Sequence, residues 1–355
     1  TTEIYTLSLH DALPISTAVY LAEKLPEKTI LLISFDIAHN LSDIFKTEVG
    51  SKITSITKNL FAIEPDPEEY AEKYTRSFAN KTQKLLKSTF IVGAIPELEK
   101  FVSETFRAKN IPLALKNAIF FQSLLDAENP LEEAPDHYEF FDGDEKQVSS
   151  KKAHMSQAEF DIIVADFPPT GNMVALFEIP QDSAKELLQY SLEMVSTVQK
   201  YLNRIKKVGK VLNPLSWGKK ESADEKKNLA QEILDSIHNL EQRGERISQL
   251  MRGIGSLRLV TIAEKPSYEE IKRAEELCKP YIGLDGVHIN RLIPEKLYGA
   301  TEFLDKIITN QRIYSKLIED SFEGFKIWHS EHLDEEPIGV SGLFKIGRAS
   351  CRERV

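Results

Sequence analysis

Residues 29–43 read TILLISFDIAHNLSD, and this stretch decides the fold class. Its first six residues form a short run rich in Ile and Leu, and the polar segment 35–43 follows directly. Runs of this length and composition are typical of strands buried on both faces of a parallel sheet. Polar residues just beyond the carboxyl end of such a strand lie where open α/β sheets bind their ligands.

Five further apolar runs of the same kind recur along the chain, at residues 60–63, 161–165, 257–262, 286–289 and 325–328. Each run taken alone could equally be part of a buried helix. Their regular alternation with helical segments favours an α/β fold, with a mostly parallel sheet flanked by helices.

Two stretches break this alternation and have the period of amphipathic helices. The first covers about residues 67–130. The second contains helices predicted at 183–205 and 225–251, joined by a loop at 213–224. We therefore predict one domain with an α-helical subdomain inserted in two parts, at about 67–130 and 181–254.

A second polar cluster follows the run at 161–165, where residues 161–172 read DIIVADFPPTGN. Asp166 and Gly171 are spaced like a Walker B carboxylate and a glycine that senses the γ-phosphate. An Asp there holds magnesium through water, and a Gly lets a backbone N–H approach the terminal phosphate. In the first cluster, Asp36 is placed to orient a water, whereas Ser42 and Asp43 could equally cap the next helix.

Together the two clusters resemble the ArsA family, which includes the arsenite-pump ATPase and the targeting factor for tail-anchored membrane proteins. SFDIAHNLSD at 34–43 resembles the family's switch I, STDPAHNLSD, and DFPPTGN at 166–172 resembles its switch II, DTAPTGH. The resemblance covers essentially all of residues 17–344 and implies a P-loop ATPase that uses ATP and Mg²⁺. It implies that Asp36 positions the attacking water, that Asp166 serves the magnesium and that Gly171 reads the γ-phosphate.

The resemblance also supplies the remaining site residues. Switch I would include His39, Asn40, Ser42 and Asp43, and switch II would include Pro169 and Thr170. VHINRLIP at 287–294 resembles the segment in which the family places an Asn that hydrogen-bonds adenine, which is Asn290 here; the alternative is a turn-forming Asn. EPIGV at 336–340 resembles, more weakly, a loop on the base side of the nucleotide, which makes Pro337 a nucleotide-binding candidate.

Three departures from the family motifs bear on hydrolysis. Phe35 stands where the family has Thr, Ile37 where it has Pro, and Pro168 where it has Ala. Two functions therefore remain in competition. One is an ATPase whose helical subdomain handles a client or docks on a membrane partner, and the other is a nucleotide-binding regulatory module with little or no hydrolysis. A third alternative is a chain whose helices are structural and which binds no ligand.

The two ends of the chain read as foreign sequence. Reverse translation of residues 1–16 gives a common sequencing-adapter oligonucleotide codon for codon, and residues 346–355 give its complementary strand. We therefore expect residues 17–345 to be native and both ends to lie outside the fold. The glycine-rich phosphate loop would lie just before Thr17, so this chain is expected to lack its Lys and its magnesium-ligating Ser or Thr, and to be inactive.

Composition excludes several classes of protein. The formal net charge of −10 argues against a nucleic-acid partner, because phosphate neutralisation needs a concentrated basic face. Cys278 is the only cysteine outside the predicted foreign ends, which excludes an internal disulfide and a CxxC zinc site and indicates the reducing cytoplasm. A homodimer without such zinc stays open. The four methionines of the whole chain give no indication of a methionine-rich client groove.

Overall fold

A mixed sheet of eight strands organises the part of the chain that the computed structural model describes, which is residues 3–8, 13–35, 41–67, 69, 124, 160–168, 173, 223–334 and 337–350. The strands are β1 (Glu3–Ser8), β2 (Ile30–Ser34), β3 (Thr54–Ser55), β4 (Leu60–Ile63), β5 (Ile162–Phe167), β6 (Gly255–Ile262), β7 (Gly283–Leu292) and β8 (Lys326–Glu331). Their order in the sheet is β3-β4-β2-β5-β1-β6-β7-β8. Neighbouring strands run parallel, except β3 and β4, which are antiparallel.

All six predicted apolar runs are strands, which confirms the α/β class. The prediction that they are buried on both faces is right for β2, where every residue is buried. The edge strand β8 has exposed residues at both ends, because it has a neighbour on one side only among the described strands. β3 was not predicted, since two residues without an apolar run carry no periodic signal.

Helices lie between most of the parallel strands, as connections of this kind require. They are α1 (Leu13–Lys24), α2 (Leu41–Phe45), α3 (Ala223–Gly253), α4 (Lys265–Cys278), α5 (Glu302–Ser321) and α6 (Gly339–Ser350), with a 3-10 turn at Glu295–Leu297. Their starts have visible local causes. Pro266 occupies the first turn of α4, where its missing N–H costs nothing, and the hydroxyl of Thr301 caps α5 by accepting from the backbone N–H of Leu304.

One face of the sheet is covered by α1 and α6, which also contact each other. Its core contains Ala18 and Val19 of α1, Ile30 and Leu32 of β2, and Leu343 of α6, all essentially inaccessible to water. Full burial of an aliphatic side chain of this size contributes about 1.5–3 kcal/mol. The core therefore fixes α1 against β2 and β5, directly beside the strand ends described below.

Both ends of the chain supply residues to this fold, which corrects the expectation that they lie outside it. β1, at residues 3–8, pairs in parallel with β5 and β6, and the last residues of α6 extend beyond Lys345, with Ile346 packed against the core. Strand-forming residues such as Ile4, Tyr5 and Thr6 fit this position, because a gap between β5 and β6 would leave two rows of backbone groups unpaired. The adapter origin of these segments stays a prediction.

The chain divides into two compact units, of which the first comprises Thr1–Pro65, Leu124–Phe177 and Ser248–Val355 and the second Asp66–Ser123 and Glu178–Ile247. The helix predicted at 225–251 is confirmed as α3, and Ile247 and Leu250 of its predicted apolar stripe are buried. The helices predicted at 67–130 and 183–205 fall almost wholly outside the described residues. Among the helices that are described, none is long and apolar enough to cross a membrane.

Candidate functional site

The carboxyl ends of β1, β5 and β2 meet at one edge of the sheet. Asp166 near the end of β5 pairs with Ser34 at the end of β2 and with Leu7 near the end of β1. Three chain segments therefore leave the sheet side by side: the connection from β1 to α1, the predicted switch I and the predicted switch II. The chain goes from β1 to β2 on one side of the sheet, whereas after β5 it continues to β6 on the other side of β1. This edge therefore has the reversal of strand order at which open α/β sheets bind ligands.

Asp166, the predicted magnesium residue, lies in this edge and is partly exposed. Its backbone carbonyl accepts a hydrogen bond of 2.8 Å from the N–H of Phe35, which ties the start of switch I to the start of switch II. The other predicted residues of these loops lie outside the described part of the chain, and their roles stay predictions; they are Asp36, His39, Asn40, Pro169, Thr170 and Gly171.

The far end of switch I is anchored by a residue that the sequence did not single out. The backbone N–H of Leu41, the first residue of α2, donates to Oε1 of the buried Glu64 at 2.8 Å. Ser42 lies inside the helix, where its hydroxyl bonds both the N–H and the carbonyl of Val49 at 2.9 and 3.0 Å. The alternative that Ser42 or Asp43 caps this helix does not hold, because the helix starts before both residues and the acceptor comes from Glu64.

A pair of stacked aromatic rings links the bases of the two switches. The rings of Phe35 and Phe167 are nearly parallel, with centroids 5.0 Å apart, and both side chains are buried. Each stands where the family motifs quoted above have Thr. The sequence comparison noted Phe35 and missed Phe167, although DFPPTGN aligned with DTAPTGH shows the second exchange. The two residues that depart from the family motifs therefore contact each other in the structure.

The connection from β1 to α1 occupies the place of a phosphate loop, whose pattern is GxxxxGK[ST] between a strand and a helix. Residues 9–16 read LHDALPIS, so Leu9, Pro14 and Ile15 stand at the Gly, Gly and Lys positions, whereas Ser16 fits the last position. A hydroxyl residue thus stands at the position expected to have lost its Ser or Thr, while the loss of a working phosphate loop stays a prediction. The hydroxyls of Ser16 and Thr17 are buried and have no hydrogen-bond partner among the described residues.

These residues fit a magnesium ion in part. An unpartnered hydroxyl at Ser16 and a partly exposed carboxylate at Asp166 are oxygen donors, which Mg²⁺ prefers. Within the described ranges no three His, Cys, Asp or Glu side chains are grouped closely enough to hold a metal ion by themselves. A site of one or two protein oxygens completed by phosphate oxygens and water is the usual arrangement for magnesium bound with a nucleotide.

On the other side of β1, the same edge carries Asn290, a buried residue of β7. Its side-chain oxygen accepts from the backbone N–H of Arg291 at 2.9 Å and from the hydroxyl of Ser330 in β8. Ser330 is also 3.0 Å from Nε2 of the fully buried His288. The contact of Asn290 with the backbone of the next residue is typical of a turn-forming Asn. However, Asn290 lies within β7, and its hydrogen bond to Ser330 connects it to β8.

Pro337, the other predicted base-side residue, precedes α6 and lies against its first turn. A Cβ atom at Gly342 would approach the Cα of Pro337 to 3.2 Å, so the two backbones are in close contact. Pro337 belongs to the short connection that leaves the carboxyl end of β8, and Asn290 lies toward the carboxyl end of β7, the parallel neighbour of β8. The sequence singled out Asn290 and Pro337 as candidates, and their roles stay predictions; it did not single out Ser330 and Glu64, which lie in segments without any motif.

Comparison with known proteins gives one family. The profile of ArsA_ATPase, described as anion-transporting ATPase, matches residues 12–111 and 144–349. A putative arsenical pump-driving ATPase 2 of Aquifex aeolicus is 25% identical over 330 residues, covering 92% of this chain and 91% of that protein. ATPase ARSA2 of Chlamydomonas reinhardtii is 25% identical, with 92% and 77% covered. ATPase GET3 of Meyerozyma guilliermondii is 24% identical, with 94% and 84% covered.

Proposed function

This chain belongs to the ArsA family of anion-transporting ATPases, and from that premise we propose that it is an ATP-driven switch protein. The observation that carries the proposal is the meeting of three strand ends at one edge of the sheet. There the switch I and switch II segments start beside Asp166, and the connection of residues 9–16 enters α1. Phosphoryl transfer relies on positioning and charge stabilisation, and both need loops held at such an edge.

The nucleotide would lie along this edge, with its phosphates at β1, β5 and β2 and its base at β7. Asp166 in β5 and Asn290 in β7 are separated by two strands, β1 and β6. Three strand spacings amount to about 14 Å. That separation suits the two ends of a nucleoside triphosphate, which supports assigning the two polar groups to one ligand.

Each predicted residue then has a role in the reaction. Asp36 orients the attacking water, and the backbone at Gly171 contacts the γ-phosphate. Ser16 and Asp166 would hold the magnesium, which supplies positive charge to the phosphate oxygens when it is bound. Glu64 holds the end of switch I through Leu41, and Asp166 holds its start through Phe35, so that both ends of the segment that contains Asp36 in sequence are anchored.

The helical second unit is proposed to respond to the nucleotide and to engage a client or a membrane partner. Family membership supports this, because the relatives include proteins named arsenical pump-driving ATPases. Ordering of switch loops by the γ-phosphate is a general way to couple hydrolysis to another part of a molecule. We assign the protein to the cytoplasm, in keeping with its buried free Cys278.

We further propose that the chain as it stands hydrolyses ATP poorly because of residues 9–16. In sequence, Leu9 and Pro14 occupy the two positions at which the pattern requires Gly so that the backbone can approach phosphate, and Ile15 occupies the position of the Lys that neutralises it. We expect the triple substitution Leu9→Gly, Pro14→Gly, Ile15→Lys to raise magnesium-dependent ATP turnover at least tenfold. Steady-state phosphate release by both proteins measures this.

A fourth substitution serves as the control. Asp36→Asn in the triple variant should lower kcat by about 10²-fold or more and leave nucleotide affinity nearly unchanged, because a water-orienting carboxylate acts mainly in the transition state. If the triple variant neither binds nor hydrolyses ATP, the proposal fails. If Asp36→Asn lowers binding and turnover equally, Asp36 does not have this role.

A second candidate function is a regulatory module that binds nucleotide and scarcely hydrolyses it. The stacked pair of Phe35 and Phe167 favours it, since two buried rings hold the bases of both switches together. The same experiment separates the candidates. Tight ATP binding by the triple variant without turnover, with no effect of Asp36→Asn, would support the regulatory module.

A further inference from the structure

We infer that Ser330 and His288 are positioning residues for base recognition, because they fix the amide of Asn290 so that only its NH₂ group is offered to the nucleotide. The inference rests on the proposed function. It concerns residues in β7 and β8 that do not themselves touch the base. The observations that carry it are the short hydrogen-bonded chain His288–Ser330–Asn290–Arg291 and its burial.

The donors and acceptors in this chain can be assigned in one way only. The backbone N–H of Arg291 is a fixed donor, so the atom of Asn290 that it contacts at 2.9 Å must be the oxygen Oδ1. Ser330 also contacts Oδ1, and therefore its hydroxyl must donate there. A hydroxyl has one hydrogen, so Ser330 accepts from Nε2 of His288.

This assignment also fixes the state of His288. The assignment requires a proton on Nε2, and full burial without an acceptor at Nδ1 disfavours a second, charged proton there. The ring is therefore neutral with a bare Nδ1, which is buried without a partner among the described residues. The opposite tautomer would bury an N–H donor without an acceptor and would leave two oxygens facing each other between Ser330 and Asn290. A buried acceptor without a partner costs less than both of those faults together.

The chain of bonds sets what Asn290 can recognise. An Asn side chain often reads adenine by two hydrogen bonds, one donated and one accepted. Here both lone pairs of Oδ1 are occupied, whereas Nδ2 has no hydrogen-bond partner in the described part of the chain. Asn290 can therefore only donate, and it selects a base with an acceptor at the facing position, such as a ring nitrogen of adenine. A base with an N–H there, as guanine has at N1, would place two donors against each other.

The test compares ATP and GTP affinity in the full chain that carries the three phosphate-loop substitutions. Ser330→Ala should lower ATP affinity about three- to tenfold and narrow the preference over GTP, because it removes one donor from Oδ1 and leaves His288 without an acceptor. Ser330→Thr keeps the hydroxyl and should therefore retain the wild-type ATP affinity and the preference for ATP over GTP. His288→Gln keeps an N–H donor and should behave like wild type, whereas His288→Leu should behave like Ser330→Ala.

Ser55→Ala is a matched control. Ser55 lies in β3 at the opposite edge of the sheet, and the substitution removes a buried hydroxyl that donates to the carbonyl of Thr57. A second measurement needs no nucleotide: ¹⁵N NMR of the unmodified full chain should show His288 protonated at Nε2 and bare at Nδ1. The opposite tautomer would overturn the inference. So would unchanged affinity and ATP preference in Ser330→Ala. If the background protein binds neither nucleotide, the proposed function itself fails, which is a separate outcome.

Discussion

His288 shows at the residue scale how burial decides a charge state. Its side chain lies within β7, has no access to solvent and is about 3.0 Å from the hydroxyl of Ser330. Burial lowers the pKa of His288 from 6.5 to about 3, and the positive charge of Arg258 and a contribution from His329 act in the same direction. The ring is therefore neutral at every pH at which the protein is expected to work.

This neutrality predicts a loss of stability in acid. Below pH 6.5 the unfolded chain binds a proton at His288 that the folded chain does not bind, so the free energy of unfolding falls as the pH falls toward about 3. The slope from this one group approaches about 1.4 kcal/mol per pH unit. Urea denaturation at several pH values between 7 and 4 measures it.

His288→Gln is the control, because Gln keeps a donor for Ser330 and does not titrate. From pH 6.5 to pH 5, the unfolding free energy of wild type should fall by about 1–2 kcal/mol more than that of His288→Gln. Other groups, such as Asp161, whose pKa is lowered by hydrogen bonds from Thr29 and Lys28, contribute equally to both proteins and cancel. If the unfolding free energies of the two proteins change in parallel with pH, His288 is not buried in its neutral form.

At the scale of elements, the contact between β7 and β8 depends on one glycine. A Cβ atom at Gly286 would lie 2.2 Å from the carbonyl oxygen of Lys326 and 2.7 Å from the ring of Trp328. The same ring lies under the guanidinium of Arg258, 3.9 Å from its centroid, and Arg258 forms an ion pair with Asp285 at 3.0 Å. Any side chain at position 286 must push β8 away from this group.

We therefore expect Gly286→Ala to lower the free energy of unfolding by about 1–3 kcal/mol, since backbone overlap of this kind cannot be relieved by a rotamer change. Gly283→Ala in the same strand is the matched control, because nothing lies within 4 Å of a Cβ atom there. Chemical denaturation of the two variants and wild type compares them. Equal stability of Gly286→Ala and Gly283→Ala would contradict the close approach of β7 and β8.

The elements could be predicted where the signal is local. Short apolar runs gave six strands, and the apolar spacing gave α3, because burial repeats with the period of the secondary structure. β1 was not predicted because residues 1–16 were interpreted as adapter sequence and were therefore not searched for strands. β3 is too short to carry a pattern. Asp166 and Asn290 were proposed as site residues from motifs, and the structure places both toward the carboxyl ends of parallel strands, while their roles stay predictions. Ser330 could not be found, since it contacts Asn290 across 40 residues of sequence and no local pattern reports a contact between strands.

At the scale of the whole molecule, a family profile that spans most of the chain and the sheet topology support one account. The switches start at β2 and β5 in the first unit, and most of α3 belongs to the second. The exposed face of α3 carries polar residues, and the pairs Gln231 with Asp235 and His238 with Gln242 are joined by hydrogen bonds of 2.9 and 3.0 Å. Coupling of nucleotide state to this helix is the central proposal.

Hydrogen exchange tests that coupling most directly. The variant with Leu9→Gly, Pro14→Gly and Ile15→Lys would be measured with ADP and then with a non-hydrolysable ATP analogue, and amide protection would be compared across residues 183–251. We predict that protection in α3 changes between the two nucleotide states, because ordering of switch II by the γ-phosphate acts on the chain that leads into the helical unit. Identical protection in both states, with both nucleotides bound, would contradict the switch and leave a static nucleotide-binding module.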